Sequence, residues 1–75
     1  MKIEGSVFLI TGGASGIGYS MTKWLVSLKG FVFICDLQEN KGLEVQKEHP
    51  DHIHFIKCDI TNEENVKEMF EVIKW

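Results

Sequence analysis

The stretch "TGGASGIG", Thr11 to Gly18, sets four glycines and two hydroxyl side chains directly behind the apolar run Val7-Phe8-Leu9-Ile10. Backbone stripped of side chains at the start of a helix suits a phosphate, because a helix N-terminus offers unpaired N–H groups and a partial positive charge. In such a turn Gly12 permits a tight exit from a strand, Gly16 lets a pyrophosphate approach, and Gly18 lets the helix pack closely on the sheet. Two nucleotide chemistries use turns of this kind. A P-loop needs a lysine and then a hydroxyl after its last glycine. Gly13 to Gly18 has that spacing and Ser20 supplies the hydroxyl, but Tyr19 occupies the lysine position. The charge that would grip the β- and γ-phosphates is therefore missing. A dinucleotide site instead needs an acid at the tip of the second strand, about 20 residues past the turn, to accept from ribose hydroxyls. Asp36 stands there, directly behind Phe31 to Cys35. A plain helix cap is the competing role for Asp36.

These residues need a frame. Val7 to Ile10, Phe31 to Cys35 and Ile53 to Cys58 are β-branched or aromatic runs of strand length. The first two are nearly continuous and suit strands covered on both faces. His54 and Lys57 interrupt the third, which suits a sheet edge. Between the first two runs, Ile17, Met21, Trp24, Leu25 and Leu28 fall on one helical stripe, read as core, and Lys29-Gly30 closes it. Gln38 to His49 reads as a weaker helix, with Gly42 inside it and Pro50 beyond. Thr61-Asn62-Glu63-Glu64 reads as a capping box for a last helix whose face is Val66, Met69, Phe70 and Ile73. The order β-α-β-α-β-α implies a parallel α/β sheet with right-handed crossovers.

Bulk properties narrow the partners. The 75 residues make one domain, 1–75, with 44% hydrophobic and 25% charged residues. Eleven acids face eight lysines and no arginine, for a net charge of −3. Neither a nucleic-acid face nor a polybasic membrane patch fits that balance. No apolar run is long enough to cross a bilayer or form a signal-peptide core, so the expected location is cytoplasmic. In that reducing setting Cys35 and Cys58 read as buried thiols. His49, His52 and His54 lack the convergent ligands of a metal site, and none is assigned.

With the glycine turn, its helix and the acid in place, the chain resembles the N-terminal part of a short-chain dehydrogenase/reductase. "TGGASGIG" matches that family's T-G-x-x-x-G-x-G at every fixed position, "CDL" at Cys35 to Leu37 resembles its ribose-binding stretch, and "CDIT" at Cys58 to Thr61 its adenine-contacting segment. The resemblance covers essentially the whole chain and points toward hydroxyprostaglandin, hydroxyacyl-CoA or hydroxysteroid branches. It implies the first three strands of a Rossmann-type doubly wound sheet, incomplete here, in the spatial order 3-2-1. It further implies cofactor contacts from Gly12, Ser15, Gly16, Ile17 and Gly18 in the turn and from Asp36 and Leu37 at the ribose. Cys58, Asp59 and Ile60 would meet the adenine, with Asp59 accepting from its amino group. A role in shaping the turn before Thr61 is the alternative for Asp59.

The family's NADP sites carry a basic residue where Ser15 or Leu37 stands here. A phosphate about 4 Å from the Asp36 carboxylate would cost roughly 4 kcal/mol at an effective dielectric of about 20. The expected cofactor is NAD. The family's chemistry, hydride transfer between nicotinamide and an alcohol or carbonyl carbon, uses a serine and a Y-x-x-x-K pair on a later helix. Tyr19 and Lys23 have that spacing but sit on the helix of the glycine turn, so no catalytic residue is assigned. The ending "EVIKW" reads as mid-helix truncation, and the first strand is expected to lack its neighbour on one side. The resemblance implies a longer parent that is a homo-oligomer acting on a small alcohol or carbonyl. A non-catalytic product binding the adenosine half of NAD, or a partner subunit, is the alternative.

Overall fold

In the computed structural model, which describes residues 2–73, the elements run β1 (Val7–Thr11), α1 (Gly16–Ser27), β2 (Phe31–Asp36), α2 (Glu39–Glu48), β3 (Ile53–Lys57) and α3 (Glu63–Val72). The three strands form one parallel sheet in the order β1-β2-β3. Val7 lies beside Phe31, and Val32 beside Ile53. The β-α-β-α-β-α reading thus holds, with the interrupted third strand at an edge.

Alternation along the strands divides the side chains between two faces. On one, Val32, Ile34 and Ile53 are buried with Leu25 and Val26 of α1 and Val45 of α2, and Phe8, Ile10 and Phe55 pack against them. On the other, Cys35, Cys58 and Met69 of α3 form a smaller cluster joined by Ile56, Val66 and Ile73. This second face is only partly covered: Val7 and Leu9 of β1 and Phe31 of β2 stay exposed.

Four local expectations need correction. The stripe assigned to the core of α1 mostly faces outward: Ile17 is 82% and Trp24 57% exposed, and Met21 and Leu28 are exposed too. The sheet-facing residues are Thr22, Leu25 and Val26. Thr22 is fully buried because its hydroxyl donates to the Gly18 carbonyl oxygen at 2.8 Å, which satisfies the polar group inside the helix. The helix also ends earlier than Lys29-Gly30 suggests. Leu28 is its C-cap and Lys29, not Gly30, takes the left-handed conformation at φ 67°. The N–H groups of Lys29 and Gly30 then donate to the carbonyls of Val26 and Leu25, both at 2.9 Å, a Schellman closure.

The capping box does not form either. Asn62, not Thr61, caps α3, its side chain accepting from the N–H groups of Glu64 and Asn65. Phe70 leaves the buried face and is exposed. The "EVIKW" ending includes Lys74 and Trp75, which lie outside the described residues. Gly42, the odd residue in α2, has a packing reason: a Cβ there would run into the Phe55 ring of β3.

Candidate functional site

The carboxyl ends of the strands converge on the glycine turn, the place where open α/β sheets hold ligands. Gly12 leaves β1 with φ +69° while its N–H donates to the Cys35 carbonyl at 2.7 Å. The chain then enters α1 through Ser15, the N-cap, and Gly16 at φ +59°. Both glycines sit where a side chain would strain the backbone. Gly18 is needed for a different reason, since a Cβ there would collide with the Gly12 carbonyl. The close approach is therefore between helix and turn, more local than the helix–sheet packing expected. Gly13, a free position in the sequence pattern, is constrained as well: its Cβ would fall 2.5 Å from Cγ2 of the buried Ile34.

Asp36, the last residue of β2, points its carboxylate back toward this turn. Oδ2 accepts from the Ala14 N–H at 3.3 Å and Oδ1 from the Gln38 N–H at 3.0 Å. Asp36 thus serves the backbone on both sides, in addition to any ligand. Beyond β3, Asp59 Oδ1 accepts from the Thr61 N–H at 2.9 Å and the Thr61 hydroxyl at 2.6 Å. The hydroxyl, more than the N–H, holds the Asp59 carboxyl below the usual range. The turn-shaping role is therefore present in the structure.

A depression of about 210 Å³ lies over these ends. It brings together six predicted residues: Gly12, Asp36, Leu37, Cys58, Asp59 and Ile60. Thr11, Cys35 and Thr61 complete its lining, and none of the nine is basic. Those three were not singled out for the site. Each stands inside a stretch quoted above, Thr11 in "TGGASGIG", Cys35 in "CDL" and Thr61 in "CDIT", and that membership is the signal that marks them. Ser15, the N-cap, and Gly18, in the first turn of α1, lie outside that lining. Gly16 and Ile17 instead border an open apolar hollow of about 540 Å³ on the outer side of α1, with Ser20, Met21 and Trp24.

Cys35 and Cys58 form the floor of the depression as free, buried thiols, Cys35 Sγ lying 3.8 Å from the Cys58 carbonyl oxygen. Burial above all, then the Cys58 thiol and the nearby Asp36 charge, pushes the Cys35 thiol up to about 12. Tyr19 does not approach a reactive pair. Its hydroxyl donates to the Glu48 carboxylate at 2.9–3.0 Å, tying α1 to α2, and the Lys23 ammonium sits 5.4 Å from the centre of its ring. The histidines have separate duties: His49 caps α2, His52 stacks on Phe31 at 4.6 Å, and His54 meets Phe33 edge-on.

A parallel sheet with a glycine turn at β1 and an acid at the tip of β2 is the first part of a Rossmann-type fold. The comparisons with known proteins take this one step further. Residues 6–75 match the family described as short chain dehydrogenase, and the chain belongs to that family. It is 39% identical over 71 residues to (+)-cis,trans-nepetalactol synthase of Nepeta racemosa, covering 93% of this chain and 26% of that protein. With 3-hydroxyacyl-CoA dehydrogenase type-2 of Drosophila melanogaster the identity is 38% over 72 residues, covering 96% and 28%. With L-fucose dehydrogenase of Bos taurus it is 38% over 66 residues, covering 88% and 24%. The chain spans about a quarter of the length of these curated relatives. Among the described residues, no helix is long and apolar enough to cross a membrane.

Proposed function

We propose that this chain is the cofactor-binding portion of an NAD-dependent oxidoreductase, which passes hydride between nicotinamide and an alcohol or carbonyl carbon. The observation that carries this is the depression at the strand ends. It joins Asp36 and Asp59 to the glycine turn and has no basic side chain in its lining. In this reading the pyrophosphate lies on Gly16 at the start of α1, the ribose on Asp36 and the adenine beside Asp59 and Ile60. NAD is favoured over NADP because an extra phosphate would meet the Asp36 charge with nothing to neutralise it. NAD fits the residues present, and when bound it supplies the hydride carrier. The chain's own residues bind and orient it.

In this reading residues 1–75 are inactive alone, and the serine, tyrosine and lysine of the reaction belong to a longer, cytoplasmic, homo-oligomeric parent. Its substrate is a small alcohol or carbonyl compound. Titrating the purified chain calorimetrically with NAD and NADP tests the binding step. Heat from NAD alone supports the proposal; equal binding of NADP, or none of either, overturns it. A second reading, a non-catalytic product that binds a partner subunit, draws on the exposed apolar side of α1 at Ile17, Met21 and Trp24. Transcript sequence past Trp75 separates the two: continuation into N-N-A-G and Y-x-x-x-K supports the first, a stop codon the second.

A further inference from the structure

The two outer edges of the sheet differ. Along a strand, alternate residues turn their backbone N–H and C=O groups to opposite sides. In β3 the even-numbered residues face β2, since the His52 carbonyl accepts from Val32 at 2.7 Å and the Cys58 N–H donates to Asp36 at 3.2 Å. Ile53, Phe55 and Lys57 therefore face outward. The Ile53 N–H donates to the His49 carbonyl at 2.8 Å, and the Phe55 N–H to the Gln46 side-chain oxygen at 2.7 Å. Lys57 adds a charge at the end of this edge. Occupied donors and an edge lysine keep a strand from pairing further.

β1 has neither device. The Ser6 carbonyl accepts from Phe31 at 2.8 Å and the Gly12 N–H donates to Cys35 at 2.7 Å, so here too the even-numbered residues face β2. The backbone groups of Val7, Leu9 and Thr11 then point outward. Among the described residues β1 has no second neighbour, and nothing occupies those groups. The strand VFLIT carries no charge and no proline. Its Val7 and Leu9 side chains are exposed, and Val7 lies beside the exposed Phe31.

We propose that this edge pairs with β1 of a second copy, antiparallel about a two-fold axis at Leu9, giving a dimer whose sheet runs β3-β2-β1-β1-β2-β3. Leu9 then stands opposite Leu9 of the second copy, and Val7 of each copy opposite Thr11 of the other. Every outward N–H meets an outward C=O, and no other two-fold register pairs all three outward residues within the strand. The strand is thus its own complement, which favours a second copy over an unrelated strand. The pairing places Val7 and Leu9 of both copies side by side on one face. It consumes both bare edges and leaves the protected β3 edges at the ends, so association stops at two. None of this depends on a bound cofactor.

Light scattering on the purified 75-residue chain should give twice 8.6 kDa, falling toward 8.6 kDa on dilution. Leu9→Lys and Leu9→Glu each set like charges against one another on the axis, and each should be monomeric. An equimolar mixture of the two should regain the doubled mass, because residue 9 opposes residue 9. Circular dichroism checks that both variants fold. Amide hydrogen exchange on the wild type needs no variant. The Leu9 N–H, open to water in a single copy, should become protected as concentration rises, whereas the Phe55 N–H, held by Gln46, should be protected throughout. A wild type that stays at 8.6 kDa, assembles without limit, or doubles with Leu9 still unprotected overturns the proposal. Folded Lys and Glu variants that remain dimeric alone, or fail to associate when mixed, overturn it as well.

Discussion

Asp36 Oδ2 accepts a hydrogen bond from the backbone N–H of Ala14, 22 positions earlier, and so couples the tip of β2 to the glycine turn. The same carboxylate that would meet a ribose therefore also holds the loop that would meet a pyrophosphate. Truncation at this residue confounds the two jobs. Asp36→Asn keeps one acceptor oxygen, enough for either Ala14 or Gln38 but not both, and drops the charge; Asp36→Ala drops both acceptors and the charge. Expected are a loss of about 1 kcal/mol in stability with weakened NAD preference over NADP for Asn, and a further loss of about 1 kcal/mol for Ala. Identical melting of the two variants would show that the one acceptor retained by Asn contributes nothing.

Glycine inside an exposed helix normally weakens it by about 1 kcal/mol relative to alanine. In α2 the sign should reverse, because the Gly42 Cα faces the Phe55 ring with no room for a methyl. Gly42→Ala is expected to destabilise by about 1–3 kcal/mol, as overpacking does. Adding Phe55→Val should recover part of the loss, a coupling that a double-mutant cycle measures by urea denaturation. A Gly42→Ala chain more stable than wild type would contradict the packing described.

Lys29 occupies the left-handed position that closes α1, a conformation costing roughly 1–2 kcal/mol for a residue with a Cβ. Lys29→Gly should accordingly stabilise the chain by about 1 kcal/mol, a rise of about 4–8 °C in Tm for a domain of this size. Ser20→Gly, placed inside the helix, should do the opposite. Thermal melts followed by circular dichroism decide between them.

The Cys35 thiol, pushed up to about 12 from 9.0 chiefly by burial, keeps its proton in the folded chain after the unfolded chain has lost it. A raised pKa of this kind leaves stability unaffected below about pH 9 and erodes it as pH rises from there toward 12. Denaturation midpoints should fall between about pH 8 and about pH 10.5, and less so in Cys35→Ala. Alkylation by iodoacetamide at about pH 8 should be slow until the chain unfolds. Rapid native-state labelling would show that the thiol is neither buried nor protonated.

Much of this was legible in the sequence, and the exceptions share a physical cause. The glycine turn, the acid behind β2 and the order of the strands follow from local chemistry: special backbone angles, strand-length apolar runs and the position of a charge. Which side of α1 meets the sheet does not. The helix is apolar on two sides, and periodicity reports that a stripe exists without saying what it packs against. Thr22 is buried through a hydrogen bond to Gly18, and a hydroxyl of that kind escapes any count of apolar residues. Thr61 and Asn62 are both good N-caps, and the choice between them fell to Asp59, which engages the Thr61 hydroxyl and leaves the helix to Asn62. Gly13 and Gly42 look like loose positions in a string of letters. Their necessity becomes visible only when Ile34 and Phe55 are brought against them.

The strand order β1-β2-β3 repeats the order of synthesis. Each strand pairs with the one made just before it, through a single helical crossover, and none of these pairings waits for a later strand. Partners in these two pairings lie 24 and 21 residues apart, as Val7 with Phe31 and Val32 with Ile53. As the chain leaves the ribosome, β1 can meet β2 as soon as α1 and β2 are clear of the exit tunnel, and the glycine turn acquires its Asp36 partner in the same event. The glycine turn and its Asp36 partner thus come from the first 36 residues, whereas Cys58, Asp59 and Ile60 join the depression only once β3 has been made.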